Sequence, residues 1–188
     1  QRASCVTRDG QYLAYVEAGR GTASAIQVLR MVDRQVTPFA ATKSNEAFPE
    51  FSPDGLWLAY TSNESGRNEI YVRSFPDGKR TVPISSEGGM SPVWAPDGRE
   101  LFYWNVAFTK LMKVDISPGG NLIAGPPKQL FEFAARSSSS IIRNYDITPD
   151  GRRFLIRETK DNNLPPVTEL RLVRNWFEEL KRLSPARK

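Results

Sequence analysis

The chain has 188 residues, 26 Lys plus Arg against 21 Asp plus Glu, a formal net charge of +5, one Cys and no His. Its 39% hydrophobic and 25% charged residues are those of a folded globular domain rather than a disordered chain, and no apolar run approaches the roughly 18 residues that a spanning helix needs. The missing His excludes Ser-His and Cys-His nucleophile pairs and the commonest zinc ligand, and Cys5 alone forms neither an internal disulfide nor a thiolate cluster.

Residues 1–10 lack the basic-then-apolar pattern of a secretory signal, and the start on Gln1 leads us to expect a piece of a longer protein. The first pattern is Arg8-Asp9-Gly10. It returns as Pro53-Asp54-Gly55, Pro96-Asp97-Gly98 and Pro149-Asp150-Gly151, with aspartate spacings of 45, 43 and 53 residues. Three residues before each Asp stands Val6, Phe51, Trp94 or Ile147, and two before it Thr7, Ser52, Ala95 or Thr148. Four after it comes Leu13, Leu58, Leu101 or Phe154, and six after it Tyr15, Tyr60, Tyr103 or Ile156. Chance does not align four such frames, and a period of this size marks a repeat architecture.

Each frame reads as strand, tight turn, strand: Pro presets φ, Asp bonds its own backbone, and Gly takes the positive φ that closes the turn. A third strand is expected at residues 25–31, 69–75, 111–116 and 168–173, and a fourth at 35–40, 80–85 and 127–131. Pro76-Asp77-Gly78 and Pro118-Gly119-Gly120 mark turns between third and fourth strands. Four antiparallel strands every 43 or so residues make a propeller blade. The fold class is therefore all-β, a β-propeller, with blades at 1–42, 43–87, 88–135 and an incomplete one at 141–174. After Val173 the spacing of Trp176, Phe177, Leu180 and Leu183 turns helical, which predicts a short C-terminal helix over 175–184. Ser137, Ser138, Ser139 and Ser140 form a polar connection that accounts for the longest spacing.

Phe-Ser-Pro-Asp-Gly-Leu-Trp-Leu-Ala-Tyr-Thr-Ser at 51–62, Asn-Glu-Ile-Tyr-Val at 68–72 and Val-Trp-Ala-Pro-Asp-Gly-Arg-Glu-Leu-Phe-Tyr at 93–103 resemble the TolB-type, WD-like β-propeller repeat. In detail the chain is most similar to the C-terminal propeller region of bacterial Ser/Thr kinase-associated or related signalling proteins. The resemblance implies a ring commonly of six blades that binds proteins or small ligands, and an extracytoplasmic setting. Six blades need roughly 260 residues, so these are expected to be the last four of a larger ring, with open blade edges through which the chain can self-associate.

Ligands or partners are expected where a fourth strand runs into the next first strand, at 43–47, 87–90 and 141–144, because those connections ring the channel. Asn45, Glu46, Arg143 and Asn144 offer hydrogen-bonding groups there, and Gly88 and Gly89 allow backbone amides close approach. The turn aspartates are explained by turn formation rather than by metal binding. Glu46 and Glu50 offer a pair of acids, but the pair occurs in one repeat of four, and Ser91 lies in no nucleophile elbow. Phe51, Trp57, Tyr60, Tyr71, Trp94, Tyr103 and Trp104 fall mostly at recurring strand positions, as core between blades. No catalytic residue, cofactor or metal is expected. Residues 151–188 carry ten basic and five acidic side chains, but no basic-aromatic platform accompanies them, so nucleic acid is not an expected partner. The reading is a noncatalytic recognition or sensor module; the alternative is the substrate-gating propeller of a prolyl-oligopeptidase-like hydrolase.

Overall fold

The four repeated turns close through the same atoms. In the computed structural model, which describes residues 2–19, 23–117, 121–132 and 143–157, Gly10, Gly55, Gly98 and Gly151 donate N–H to the carbonyls of Thr7, Ser52, Ala95 and Thr148. Their φ values lie between 70° and 72°, a left-handed conformation that a Cβ disfavours. Each aspartate Oδ1 accepts the N–H two residues on, from Gln11, Leu56, Arg99 and Arg152. In three turns the hydroxyl of Thr7, Ser52 or Thr148 donates to the same carboxylate. The turn role expected of these aspartates is therefore their role.

Strands β1 (Arg2–Val6), β2 (Tyr12–Glu17), β3 (Ala25–Arg30) and β4 (Gln35–Ala40) form the first sheet, in that order. The second holds β5 (Glu46–Phe51), β6 (Trp57–Ser62), β7 (Glu69–Ser74) and β8 (Thr81–Pro83). The third holds β9 (Met90–Trp94), β10 (Glu100–Trp104), β11 (Lys110–Ser117), β12 (Ile123–Ala124) and β13 (Lys128–Glu132), and β14 (Tyr145–Ile147) pairs with β15 (Phe154–Ile156) in a fourth. Neighbours are antiparallel throughout.

The third sheet differs from expectation at its edge. The expected outer strand at 127–131 is β13, and a further short piece precedes it: β12 pairs with the end of β11, Ile116 opposite Ala124, and β13 with its start, Lys113 opposite Lys128. Pro126 and Pro127 have no N–H to give a ladder, so the outer strand breaks between them. No helix occurs among the described residues, none of which forms a span long and apolar enough to cross a membrane. The expected strand at 168–173 and helix at 175–184 lie outside the described residues.

Period-two alternation places the core between sheets. In β6 all six residues are buried. Leu58 and Tyr60 pack with Ala14, Ile26 and Val28 of the first sheet, and Trp57 and Ala59 with Trp94, Leu101 and Tyr103 of the third. Slipping β6 by one residue would exchange both sets, so its register is strongly fixed. Each fully buried Leu, Ile or Phe contributes about 1.5–3 kcal/mol. A third cluster joins Val93, Phe102, Trp104 and Leu111 to Tyr145 of the fourth sheet. Of the expected core aromatics, only Tyr71 is half-exposed. In β2 only Ala14 is buried, because the second sheet covers one face of the first; Leu13 and Tyr15 alternate onto the other face and stay half-exposed.

Candidate functional site

Strands β5 and β9 start at the end of the molecule opposite the four turns, directly after the connections from β4 and β8. The first strands are also linked in series: Trp94 Nε1 donates to the Glu50 carbonyl at 3.1 Å, and Tyr145 Oη to the Ser91 carbonyl at 2.8 Å.

Asn45 is exposed, its N–H donating to Asn63 Oδ1 at 2.7 Å and its Oδ1 accepting the Ser24 N–H at 3.1 Å. Glu46 opens β5 and is 1% exposed. Thr42 Oγ1 donates to its Oε1 at 2.5 Å, and Oε2 is buried without a partner. Burial pushes this carboxyl above its ordinary range, against the Thr42 hydrogen bonds, and Glu64 adds repulsion.

Gly88 and Gly89 are buried. The Gly88 N–H lies 2.9 Å from both carboxylate oxygens of Glu69, which also receives the Ser85 hydroxyl and Arg67 Nε, and the Gly89 N–H goes to the Asn68 carbonyl. Both amides are thus engaged within the chain, so they do not present themselves to a ligand. A Cβ on Gly89 would stand 2.7 Å from Ile70 Cγ1 and 2.9 Å from Ser85 Oγ, which makes this glycine a packing requirement.

Arg143 Nη1 reaches Glu50 Oε2 at 2.7 Å, with Asp146 at 3.7 Å from Nη2. Asn144 is 9% exposed and its Oδ1 lacks a partner. Burial raises the Glu50 carboxyl and Arg143 opposes the shift; in Arg143, Glu50 and Asp146 outweigh the burial and hold the guanidinium charged. The Cys5 thiol beside this pair is pushed up to about 12, first by burial and then by Glu50, so it is no nucleophile near neutral pH.

The six expected residues are therefore set around one end but bonded to separate neighbours. Glu50, Cys5 and Asp146 were not among them. Their signal was the repeat column four residues before each turn Asp, occupied by Cys5, Glu50, Val93 and Asp146, in which two of the four first strands place a carboxylate between apolar neighbours.

The same end carries strain. Register shifts interrupt β1, β5 and the β9–β10 pairing. Phe48 and Ser91, each six residues before its turn Asp, have φ of 53° and 57°, and Phe108 in the connection after β10 has 54°. Asn144 occupies the matching place in the fourth repeat. Bulges of this kind re-aim side chains and gather next to binding sites.

No family model matches the chain. Over 53 residues, 27% of the chain, it is 40% identical to the Tol-Pal system protein TolB of Desulfotalea psychrophila, a stretch that is 12% of that relative's length. TolB from Acinetobacter baumannii superposes with a TM-score of 0.59 at 18% identity, covering 85% of this chain and 38% of that one. An oligogalacturonate lyase solved in complex with manganese superposes equally well, at 0.59 and 14% identity, covering 84% of this chain and 46% of that one. The chain thus has a TolB-like β-propeller fold and spans under half the length of the solved structures it matches.

Proposed function

We propose that this chain is a noncatalytic recognition module that binds a protein or small ligand at the end where fourth strands run into first strands, and that it serves as the propeller of a larger bacterial signalling protein. One observation carries the reading. Among the described residues, the buried side-chain atoms without a hydrogen bond are Glu46 Oε2, Asn144 Oδ1 and Trp104 Nε1, and all three sit at this end. An unmet polar atom costs about 1–3 kcal/mol, a demand that a bound ligand or water relieves. The positive φ values of Phe48, Ser91 and Phe108 lie at the same end. Exposed Asn45 and one-third-exposed Arg143 supply polar handles beside them. The stretch shared with a Tol-Pal system protein is the reason for placing a protein first among partners.

The acids argue for binding rather than chemistry. Glu46 is held by Thr42 and Glu50 by Arg143, so the two do not face a shared space as an acid and base would. Among the described residues no three of His, Cys, Asp and Glu gather as metal ligands. The purified chain is expected to turn over no ester, peptide or glycoside substrate. Turnover that disappears on Glu46→Gln or Glu50→Gln would make the acids catalytic and overturn the reading. Alanine at Asn45, Glu46 and Arg143 together is expected to abolish partner retention; unaltered retention would remove this end from consideration.

A further inference from the structure

The seams between sheets are built from the same repeat columns. Phe51, Leu58 and Tyr60, which stand three before, four after and six after their turn Asp, pack onto the first sheet. Their counterparts Trp94, Leu101 and Tyr103 pack onto the second, and Ile147, Phe154 and Ile156 onto the third. These columns therefore face the sheet that comes before their own. The first sheet carries the same columns as Val6, Leu13 and Tyr15, and presents them to solvent. Val6 is 52% exposed and Leu13 and Tyr15 are half-exposed, whereas Leu58, Leu101, Tyr60 and Tyr103 are buried.

Register extends this surface across the whole sheet. Val6 stands opposite Leu13, Leu13 opposite Leu29, and Leu29 opposite Val36, which is 47% exposed. The four aliphatic side chains form one row from edge to edge. Tyr15, Gln27 and Pro38 make the next row, and Gln27 donates to Glu17 at 3.2 Å along its border.

We infer that this face joins two copies of the chain in a symmetric dimer, the Val6, Leu13, Leu29 and Val36 row of one lying against the same row of the other. The inference goes beyond the recognition end proposed above and rests on other residues; it assigns the self-association expected from the sequence to one face and one symmetry. Burial against a sheet is what these columns receive at the three seams within the chain. An uncharged row meets its own two-fold image without repulsion, so the surface is complementary to itself.

Head-to-tail assembly would cover the same row with the far side of the fourth sheet, and the chemistry there differs. Across the seams the covering sheet supplies Tyr12 with Ala14, or Trp57 with Ala59. On the described part of the fourth sheet the corresponding side carries Asp146, Arg153 and Leu155, all exposed. Pressing two charged groups onto an aliphatic row costs their hydration with no partner in return. The first-sheet face is made of four strands of five or six residues. It therefore spans about 20 by 19 Å, roughly 400 Å² in projection on each copy, which is the low end of specific interfaces. The dimer is accordingly weak and forms with concentration.

The test is sedimentation velocity from low to high micromolar concentrations of the chain. A reversible monomer–dimer equilibrium is expected, with no larger species. Val6→Lys with Val36→Lys is expected to raise the dissociation constant at least tenfold, because the two-fold axis brings the added ammonium groups of both copies into one contact. Both side chains are exposed, so the melting temperature of the dilute monomer is expected to stay unchanged. Leu155→Lys, on the far side of the fourth sheet, is expected to leave the equilibrium as it is. A monomer at every concentration, species that grow beyond the dimer, a dimer indifferent to the two lysines, or one dissociated by Leu155→Lys would overturn the inference. Should the double variant not fold, Val36→Lys, a change at one exposed edge position, decides alone.

Discussion

Arg143 Nη1 stands 2.7 Å from Glu50 Oε2, although Glu50 is in the second sheet and Arg143 lies two residues before β14 of the fourth, with the third sheet packed between those sheets. The first strands therefore approach one another closely enough for a side chain at the entry to β14 to reach past the third sheet to β5. Arg143→Ala leaves Glu50 without its cation and is expected to cost about 2 kcal/mol, below the 3–5 of a fully buried pair because both side chains keep some solvent. Urea denaturation measures it, and a cycle with Glu50→Gln isolates the coupling. A variant as stable as the unaltered chain would mean that the pair is no more than a surface contact.

Ala95 stands where Thr7, Ser52 and Thr148 donate a hydroxyl to their turn aspartates, so Asp97 lacks that bond. Ala95→Ser supplies it in a frame whose backbone already matches, and stability is expected to rise by about 1 kcal/mol. A loss of stability would show that the buried site tolerates no hydroxyl.

Gly89→Ala forces a methyl against Ile70 and Ser85, with Tyr103 3.0 Å away, and none of these neighbours is free to yield. The expected cost is about 2 kcal/mol by chemical denaturation, the range of overpacked cores. A neutral result would mean that the connection over 85–89 shifts outward at little cost.

Burial raises the Glu46 pKa above its value in the unfolded chain, so just above the ordinary carboxylate range the folded state holds a proton that the unfolded chain has released. Stability from this group is present below the unfolded pKa and is lost as pH rises through the folded one. Asp9 and Asp150, lowered chiefly by their threonine hydroxyls, act oppositely, and their contribution fades as pH falls through their folded values. Glu46→Gln is expected to flatten the decline above the carboxylate range and to be at least as stable as the unaltered chain at pH 7. Denaturation from pH 4 to 7.5 checks this; an unchanged slope would show that Glu46 is ionised throughout.

The sheets were legible in the sequence because each turn is specified by local chemistry: Asp54 and Gly55 meet their partners within three residues. The core was legible because alternation in β6 assigns Leu58 and Tyr60 to one face and Trp57 and Ala59 to the other. The break between β12 and β13 was visible in principle, as Pro126 just before and Pro127 at the start of an expected strand, two residues without N–H. The polar end was legible only as a set of positions. Arg143 meets Glu50 across 93 residues, and Glu69 takes the Gly88 amide through the fold of a connection, contacts that depend on tertiary geometry.

The recognition end is tested most directly by a photo-crosslinking amino acid placed at Lys43 and Glu87, both exposed in the connections at that end, and at Val32 and Ile123 on the outer rim as references. The proposed reading predicts that Lys43 and Glu87 capture the same partner in native cells, that the rim positions do not, and that Asn45→Ala with Glu46→Gln removes the adduct. Capture of one partner equally from all four positions, or from the rim alone, would contradict it.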